Sequence, residues 1–409
     1  MKSKPKLAAV FGHFSTYAEM SNWQDLERLV NPCGMFDQVH VLAIGDDHAY
    51  PAFVFGTVRV HRVRSPVPIR WLKRFNDLLV LVLGTAYLWW IVRRFNIDLI
   101  AHVDSAPVKF GVPAVFVARH TGLPCLITLH SDYARVQPTL SRPLSLASRI
   151  LWPYVFRRAT MVRSVSRPIA EFAYDHGVSQ DRVMVIPNKE DLAPFRNAVP
   201  EDVLEETAEE LELGHIIGNS VIFLSVGRLI PVKNLQRCIE AFARSHEKHP
   251  DIAYLVVGTG RLQADLERQV ESLGVGDRVR FLGYFPHELL AQVYQLSDVF
   301  LFPTLWEGHP RVVLEAMAAR LPIICSNYGA ITDLVTDADA IFVDPTDVSQ
   351  ISVAISRLAT DEAHRQGLSA HPEFDPDDFS IETVGRREAE LYAAVLSEAG
   401  FAKSRMSLA

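Results

Sequence analysis

Short runs of apolar and β-branched residues recur along the chain, separated by longer segments whose apolar positions return every three or four residues. Leu7–Phe11, Val39–Ile44, Val58–Val63, Leu99–His102, Cys125–Leu129, Met161–Val165 and Val183–Ile186 read as strands, with helical patterns between most of them. After Pro187 the pattern changes to an acidic connector, Glu201, Asp202, Glu205, Glu206, Glu209, Glu210 and Glu212, which reads as a solvated helix face. A second alternation follows, with strands at Val221–Val226, Ala253–Val257, Val279–Leu282, Val299–Phe302, Ile323–Cys325 and Ile341–Val343. Apolar strands that alternate with helices predict parallel sheets covered on both faces. The expected class is α/β, with two Rossmann-like doubly wound domains facing a cleft. Residues 1–190 form the first, rejoined by a C-terminal helix at about 382–409, and residues 191–381 form the second. Ligands of such sheets sit at the carboxyl ends of the strands.

Composition narrows the class. The 409 residues are 49% hydrophobic and 22% charged, which excludes a disordered or collagen-like chain. Cys33, Cys125, Cys238 and Cys325 lie too far apart to read as a zinc set or a disulfide framework, and point to a reducing, cytoplasmic setting. The apolar stretch Leu7–Phe11 is too short for a secretory leader and reads as a buried strand.

The net charge of −7 hides an asymmetry: residues 1–190 hold 23 Lys and Arg against 14 Asp and Glu, and residues 191–409 hold 18 against 34. The basic half predicts an anionic partner, and the acidic total argues against nucleic acid. Arg59, Arg62, Arg64, Arg70, Lys73 and Arg74 are followed by the apolar run Leu78–Val92, with Trp89 and Trp90, and then by Arg93 and Arg94. Its fifteen uncharged residues at ~1.5 Å each span about 22 Å, short of the ~30 Å hydrocarbon core, so the run is not expected to cross a bilayer. It reads either as a core helix with solvated arginines or, preferably, as an interfacial helix that also meets an anionic membrane surface. Arg135, Arg142, Arg149, Arg157, Arg158, Arg163 and Arg167, a second acid-free stretch, support the latter. The expected location is cytoplasmic, peripheral on the inner face of the membrane.

The candidate chemistry lies in the second half. Strand Val221–Val226 runs into Gly227 and Arg228, and Lys233 precedes Asn234, the expected N-cap of a helix with Leu235, Cys238, Ile239 and Phe242 on its apolar face. Two cations at a strand end beside a helix N-terminus suit a diphosphate. Gly258 and Gly260 after the next strand let backbone approach a ligand. Pro310 fits a first helical position, so the amides of Arg311, Val312 and Val313 form a cradle for phosphate or hydroxyl groups, with Gly308 and the backbone of His309 beside it. Glu307 precedes that turn and Glu315 lies inside the helix. A carboxylate accepts from two vicinal hydroxyls, so one suits a hexose and the other a ribose. No His-x(3)-His, Asp-x-Asp or Gly-x-Ser-x-Gly occurs at a fitting place, so neither a metal nor a serine nucleophile is expected. His130, ending strand Cys125–Leu129, reads equally as a hydrogen-bonded strand cap or as a catalytic residue.

These residues resemble the retaining glycosyltransferases of family 4, which have the two-domain glycosyltransferase-B (GT-B) fold. The resemblance rests on Gly227-Arg228 with Lys233, the Val-Val-Gly-Thr-Gly turn at 256–260 and the spacing Glu307-x(7)-Glu315. It extends through Ala101-His102, Leu129-His130, Ser164-Val165-Ser166 and Ile186-Pro187-Asn188. It implies that Arg228 and Lys233 bind the donor diphosphate, Glu315 the ribose and Glu307 the donor sugar. His130 would lie near the transferred sugar, Tyr284 beside the base, and Gly12 and His13 in an acceptor and diphosphate loop. That loop, Phe11-Gly12-His13-Phe14-Ser15, has one glycine where the family is glycine-rich, and Asn188-Lys189-Glu190-Asp191 departs from the usual Asn-Gly. Asp333 stands where glutamate is usual. The implied activity is retaining, metal-independent transfer of a hexosyl unit from a nucleotide-diphosphate sugar to a glycan or lipid-linked acceptor in polysaccharide or glycolipid assembly. No cofactor is implied beyond the substrate, and a UDP-sugar is favoured over a GDP-sugar. A nucleotide-sugar epimerase or phosphorylase of the same fold, and a non-catalytic membrane-associated assembly subunit, are the alternatives.

Overall fold

A computed structural model describes residues 4–11, 23–44, 54–63, 73–103, 111–130, 151–214, 216–218 and 220–406. The chain divides into two compact units, Met1–Lys189 with Asp378–Ala409, and Glu190–Asp377.

The first unit contains strands β1 (Lys6–Phe11), β2 (Gln38–Ile44), β3 (Val54–Phe55), β4 (Val58–Val63), β5 (Leu99–His102), β6 (Cys125–Leu129), β7 (Met161–Ser164) and β8 (Val183–Val185). They form one sheet in the order β3-β4-β2-β1-β5-β6-β7-β8. Every pairing is parallel except β3 with β4. The two-residue β3 is absent from the sequence reading because two residues carry no period. Alternation sends Ala8 and Val10 of β1 to one face, against Leu88, Ile91, Val115 and Phe156. Leu7 and Ala9 point to the other, with Val39, Leu99 and Leu126, where Val384, Leu391, Tyr392 and Val395 of the last helix, Ile381–Met406, cover them.

That last helix is also held by charge. Glu388 meets Arg163 at 2.8 Å and Lys189 at 2.5 Å, with all three side chains at least nine-tenths buried. Arg163 further donates to the carbonyls of Ile186 and Pro187, and Lys189 to that of Leu29. Burial pushes the Lys189 ammonium down from its ordinary range, and Glu388 opposes the shift.

The predicted apolar run lies within the helix Lys73–Phe95, which continues through Gly84 and Thr85; the Thr85 hydroxyl donates back to Leu81 O at 2.7 Å. Leu88 and Ile91 are fully buried, whereas Val82, Leu83 and Trp90 remain 56%, 40% and 47% exposed. The helix therefore packs on the core and turns an apolar stripe outward as well. Arg93 lies over the Trp89 ring and Arg94 over Phe95. Among the described residues no helix is long and apolar enough to cross a membrane. Gly12, His13, Arg64, Arg70, Arg135, Arg142 and Arg149 lie outside the described residues, as do the side chains of Arg62, Lys73 and Arg74.

The second unit holds β9 (Val221–Val226), β10 (Ile252–Val257), β11 (Val279–Gly283), β12 (Val299–Phe302), β13 (Ile323–Ser326) and β14 (Ala340–Val343) in the order β11-β10-β9-β12-β13-β14, parallel throughout. Phe223, Tyr254 and Leu301 of this sheet pack on Ile239, Phe242 and Ile355. The strand order reverses direction between β9 and β12, a switch point where loops diverge and leave room for a ligand.

Candidate active site

Three strand ends of the second unit are stitched into one platform. Gly227 N–H donates to Val257 O, Leu229 N–H to Thr259 O and Gly258 N–H to Gly283 O, at 3.0, 2.9 and 2.7 Å. Gly258 adopts φ 131°, and a Cβ there would stand 2.0 Å from Gly227 O; one on Gly260 would stand 2.4 Å from Leu229 O. Close approach of the two turns to each other already demands these glycines, before any ligand does.

A 3-10 turn, Pro231–Lys233, leads from this platform to the helix Leu235–His246. Asn234 is not the expected side-chain cap. Its backbone is left-handed, φ 60°, and its side-chain amide donates to Pro303 O and Pro345 O at 2.9 and 2.6 Å. It ties the turn after β9 to the loops after β12 and β14. Thr304 Oγ1 and Leu305 N–H both donate to Val232 O, closing the same contact from the other side.

Those ties bring two candidate residues together. Lys233 Nζ stands 2.5 Å from Glu307 Oε1, with the side chains only 16% and 14% exposed, and 5.0 Å from the centroid of the Phe302 ring. Arg228 is exposed and has no ion-pair partner among the described residues, whereas Lys233 is engaged by Glu307.

Pro310 is the N-cap, one position earlier than expected, and the helix is Arg311–Ala318. Val313 N–H donates to Pro310 O at 3.1 Å, which shortens the expected cradle to the amides of Arg311 and Val312. Glu315 is 3% exposed. Tyr294 donates its hydroxyl to Glu315 Oε2 at 2.9 Å, and His287 Nε2 lies 3.3 Å from Oε1. Burial, and then the Glu315 carboxylate, push the Tyr294 phenol well above its ordinary range, so it stays a donor. Both partners come from the helix His287–Gln295 and pack on Phe195. Sequence reasoning missed them, although Tyr294 in an apolar helical stripe is a residue whose hydroxyl needs a partner.

A third missed residue is Glu190. It is 6% exposed, and its Oε2 lies 2.6 Å from Arg311 Nε. Burial pushes its carboxyl up to about 7, against the pull of Arg311. Tyr284, following β11, is 76% exposed. Gly308 is buried and His309 half-buried in the loop between Glu307 and the helix. His130 follows β6 in the first unit and is half-buried. Among the described residues no group of three or more His, Cys, Asp or Glu is disposed to hold a metal ion.

Comparisons with known proteins agree with this layout. Residues 209–371 match the model of the glycosyl transferases group 1, and residues 35–193 that of glycosyltransferase family 4. The chain is 28% identical over 280 residues to the UDP-Gal:alpha-D-GlcNAc-diphosphoundecaprenol alpha-1,3-galactosyltransferase of Escherichia coli, covering 67% of this chain and 70% of that one. It is 28% identical over 318 residues to the 2-deoxystreptamine glucosyltransferase of Streptomyces kanamyceticus, covering 75% and 80%. In fold it is similar to Anabaena HepE, solved with UDP and glucose, with a TM-score of 0.71, 16% identity and coverage of 95% and 100%. Sucrose-phosphate synthase of Thermosynechococcus elongatus gives a TM-score of 0.76 at 19% identity, covering 97% and 100%.

Proposed function

We propose, from the premise that the chain belongs to the glycosyltransferases of the GT-B fold, that it moves a hexosyl unit from a nucleotide-diphosphate sugar to a glycan or lipid-linked acceptor. Transfer retains the anomeric configuration and needs no metal ion. The observation that carries this reading is the Lys233–Glu307 pair, set at the ends of β9 and β12 beside the helix that holds Glu315. A UDP-sugar is the favoured donor, since the E. coli relative is a UDP-Gal enzyme and HepE is solved with UDP. The diphosphoundecaprenol in that relative's name favours a lipid-linked acceptor here.

In this reading the donor exchanges partners with the site. Lys233 turns from Glu307 to a diphosphate oxygen, joined by Arg228, and Glu307 is freed to accept hydrogen bonds from the sugar hydroxyls. The ribose hydroxyls donate to Glu315, held from behind by Tyr294. As the glycosyl bond loosens toward an oxocarbenium ion, Lys233, Arg228 and the Arg311 and Val312 amides stabilise the charge growing on the diphosphate. The departing diphosphate takes the proton of the acceptor hydroxyl, and the new bond forms on the same face. His130 keeps the part that the resemblance implies, a catalytic residue serving the transferred sugar. Peripheral attachment to the inner membrane face belongs to the same reading, supported by the outward stripe of Val82, Leu83 and Trp90 beside Arg93 and Arg94.

The test is incubation with UDP- and GDP-sugars, with and without acceptor and chelator, following nucleoside diphosphate release and product anomer. Acceptor-dependent release that survives chelation, with a retained anomer, is expected. An epimerised sugar without acceptor, or a sugar phosphate formed from orthophosphate, would replace this reading by the epimerase or phosphorylase alternative. Metal-reversible loss would overturn the metal-independent route.

A further inference from the structure

The pair formed by Glu190 and Arg311 has no part in the reading above. Arg311 is the first residue of the helix that carries Glu315, four positions before it, so both side chains share one face a turn apart. The Arg311 side chain is 53% exposed, and its ion pair with Glu190 runs through Nε. The two terminal guanidinium nitrogens, four N–H donors, make no other ion pair among the described residues, and Glu315 attracts the same guanidinium electrostatically. On the reading that Glu315 takes the ribose, a step of one turn, about 5.4 Å, toward the helix N-terminus leads from ribose toward phosphate.

We infer that Glu190 is a positioning residue for the donor, fixing Arg311 so that its terminal nitrogens hydrogen-bond a phosphate oxygen of the nucleotide. A half-exposed arginine left to itself samples many rotamers, and a buried carboxylate gripping Nε removes most of them while leaving the fork free. This inference rests on the assignment of Glu315 to the nucleotide.

The grip needs an ionised Glu190. The charged and titratable groups facing it are Arg311 and Glu315 from one helix and His287 from another. Its neighbour Lys189 is engaged by Glu388, and Arg196, on the following helix, by Asp377. With its carboxyl pushed up to about 7, Glu190 is charged above that pH and progressively neutral below it. Arg311 is therefore held in alkaline solution and released as the pH falls.

Binding of UDP and of uridine to the full chain, at pH 8 and pH 5.5, tests this for wild type, Glu190→Gln, Arg311→Gln and the double variant; GDP and guanosine serve if they bind more tightly. Glu190→Gln should weaken UDP about fivefold at pH 8 and leave uridine, which lacks phosphate, unchanged. At pH 5.5 wild type and Glu190→Gln should coincide. UDP's own titration is common to both proteins and cancels in their ratio. The double variant should bind UDP no worse than Arg311→Gln alone. Equal or tighter UDP binding by Glu190→Gln at pH 8, or an equal loss for uridine, would overturn the role. Glu315→Ala separates the two claims: if it binds UDP and uridine like wild type, the nucleotide assignment itself fails, whatever Glu190 does.

Discussion

Lys233 and Glu307 stand 2.5 Å apart with most of both side chains withdrawn from water, so each is satisfied before any substrate arrives. A donor that enters here must offer better partners to both, which a diphosphate and a sugar hydroxyl do together and neither does alone. If Lys233 faces the leaving diphosphate as proposed, Lys233→Ala should lower kcat by two or more orders of magnitude, since ~1.4 kcal/mol is tenfold in rate and such a charge is asked for several such steps. Donor-dependent turnover within tenfold of wild type would show that the cation sits elsewhere. The partners of Glu315 were not legible in the chain. Its burial followed from Val312, Val313, Ala316 and Met317 around it, but His287 and Tyr294 reach it from another helix, and no spacing rule records a contact across 21 or 28 positions.

At the scale of elements, the strands were legible because buried parallel strands are continuous apolar runs. The turns were not, since they depend on contacts with other turns. Asn234 carries the residue type of a cap, yet φ 60° sends its amide to Pro303 and Pro345 instead. The Lys73–Phe95 helix shows both behaviours at once. Its buried side, Leu88 and Ile91, packs on the core, as both readings of the run require, and its outer side keeps Val82, Leu83 and Trp90 in contact with solvent. The outer face of a packed helix is more often polar. The expected outcome is flotation of the protein with anionic liposomes, weakened by salt through the arginines. The triple variant Val82→Gln, Leu83→Gln, Trp90→Gln should lose the salt-resistant fraction. Identical flotation of wild type and variant at high salt, or none on anionic vesicles at low salt, would return the stripe to an ordinary exposed surface.

On the scale of the whole molecule, the first unit is built from two stretches of chain with the second unit encoded between them. Its second stretch supplies Glu388, which faces two buried cations. Glu388→Ala leaves Arg163 and Lys189 buried without their anion, a loss of about 3–5 kcal/mol by comparison with other broken buried pairs. Chemical denaturation followed by tryptophan fluorescence, with five of the six tryptophans in the first unit, should report it, and a change below about 1 kcal/mol would mean that the carbonyls of Ile186, Pro187 and Leu29 satisfy the cations unaided. The arrangement also sets a timetable for the growing chain. Ribosomes add about 5–20 residues each second, and the 188 residues of Glu190–Asp377 separate the two stretches, so roughly 10–40 s pass between them. Throughout that interval Leu7, Ala9, Val39 and Leu99 wait without Val384, Leu391 and Val395 to cover them. The half translated first is thus the half finished last, and a nascent chain stalled in between leaves that apolar face uncovered.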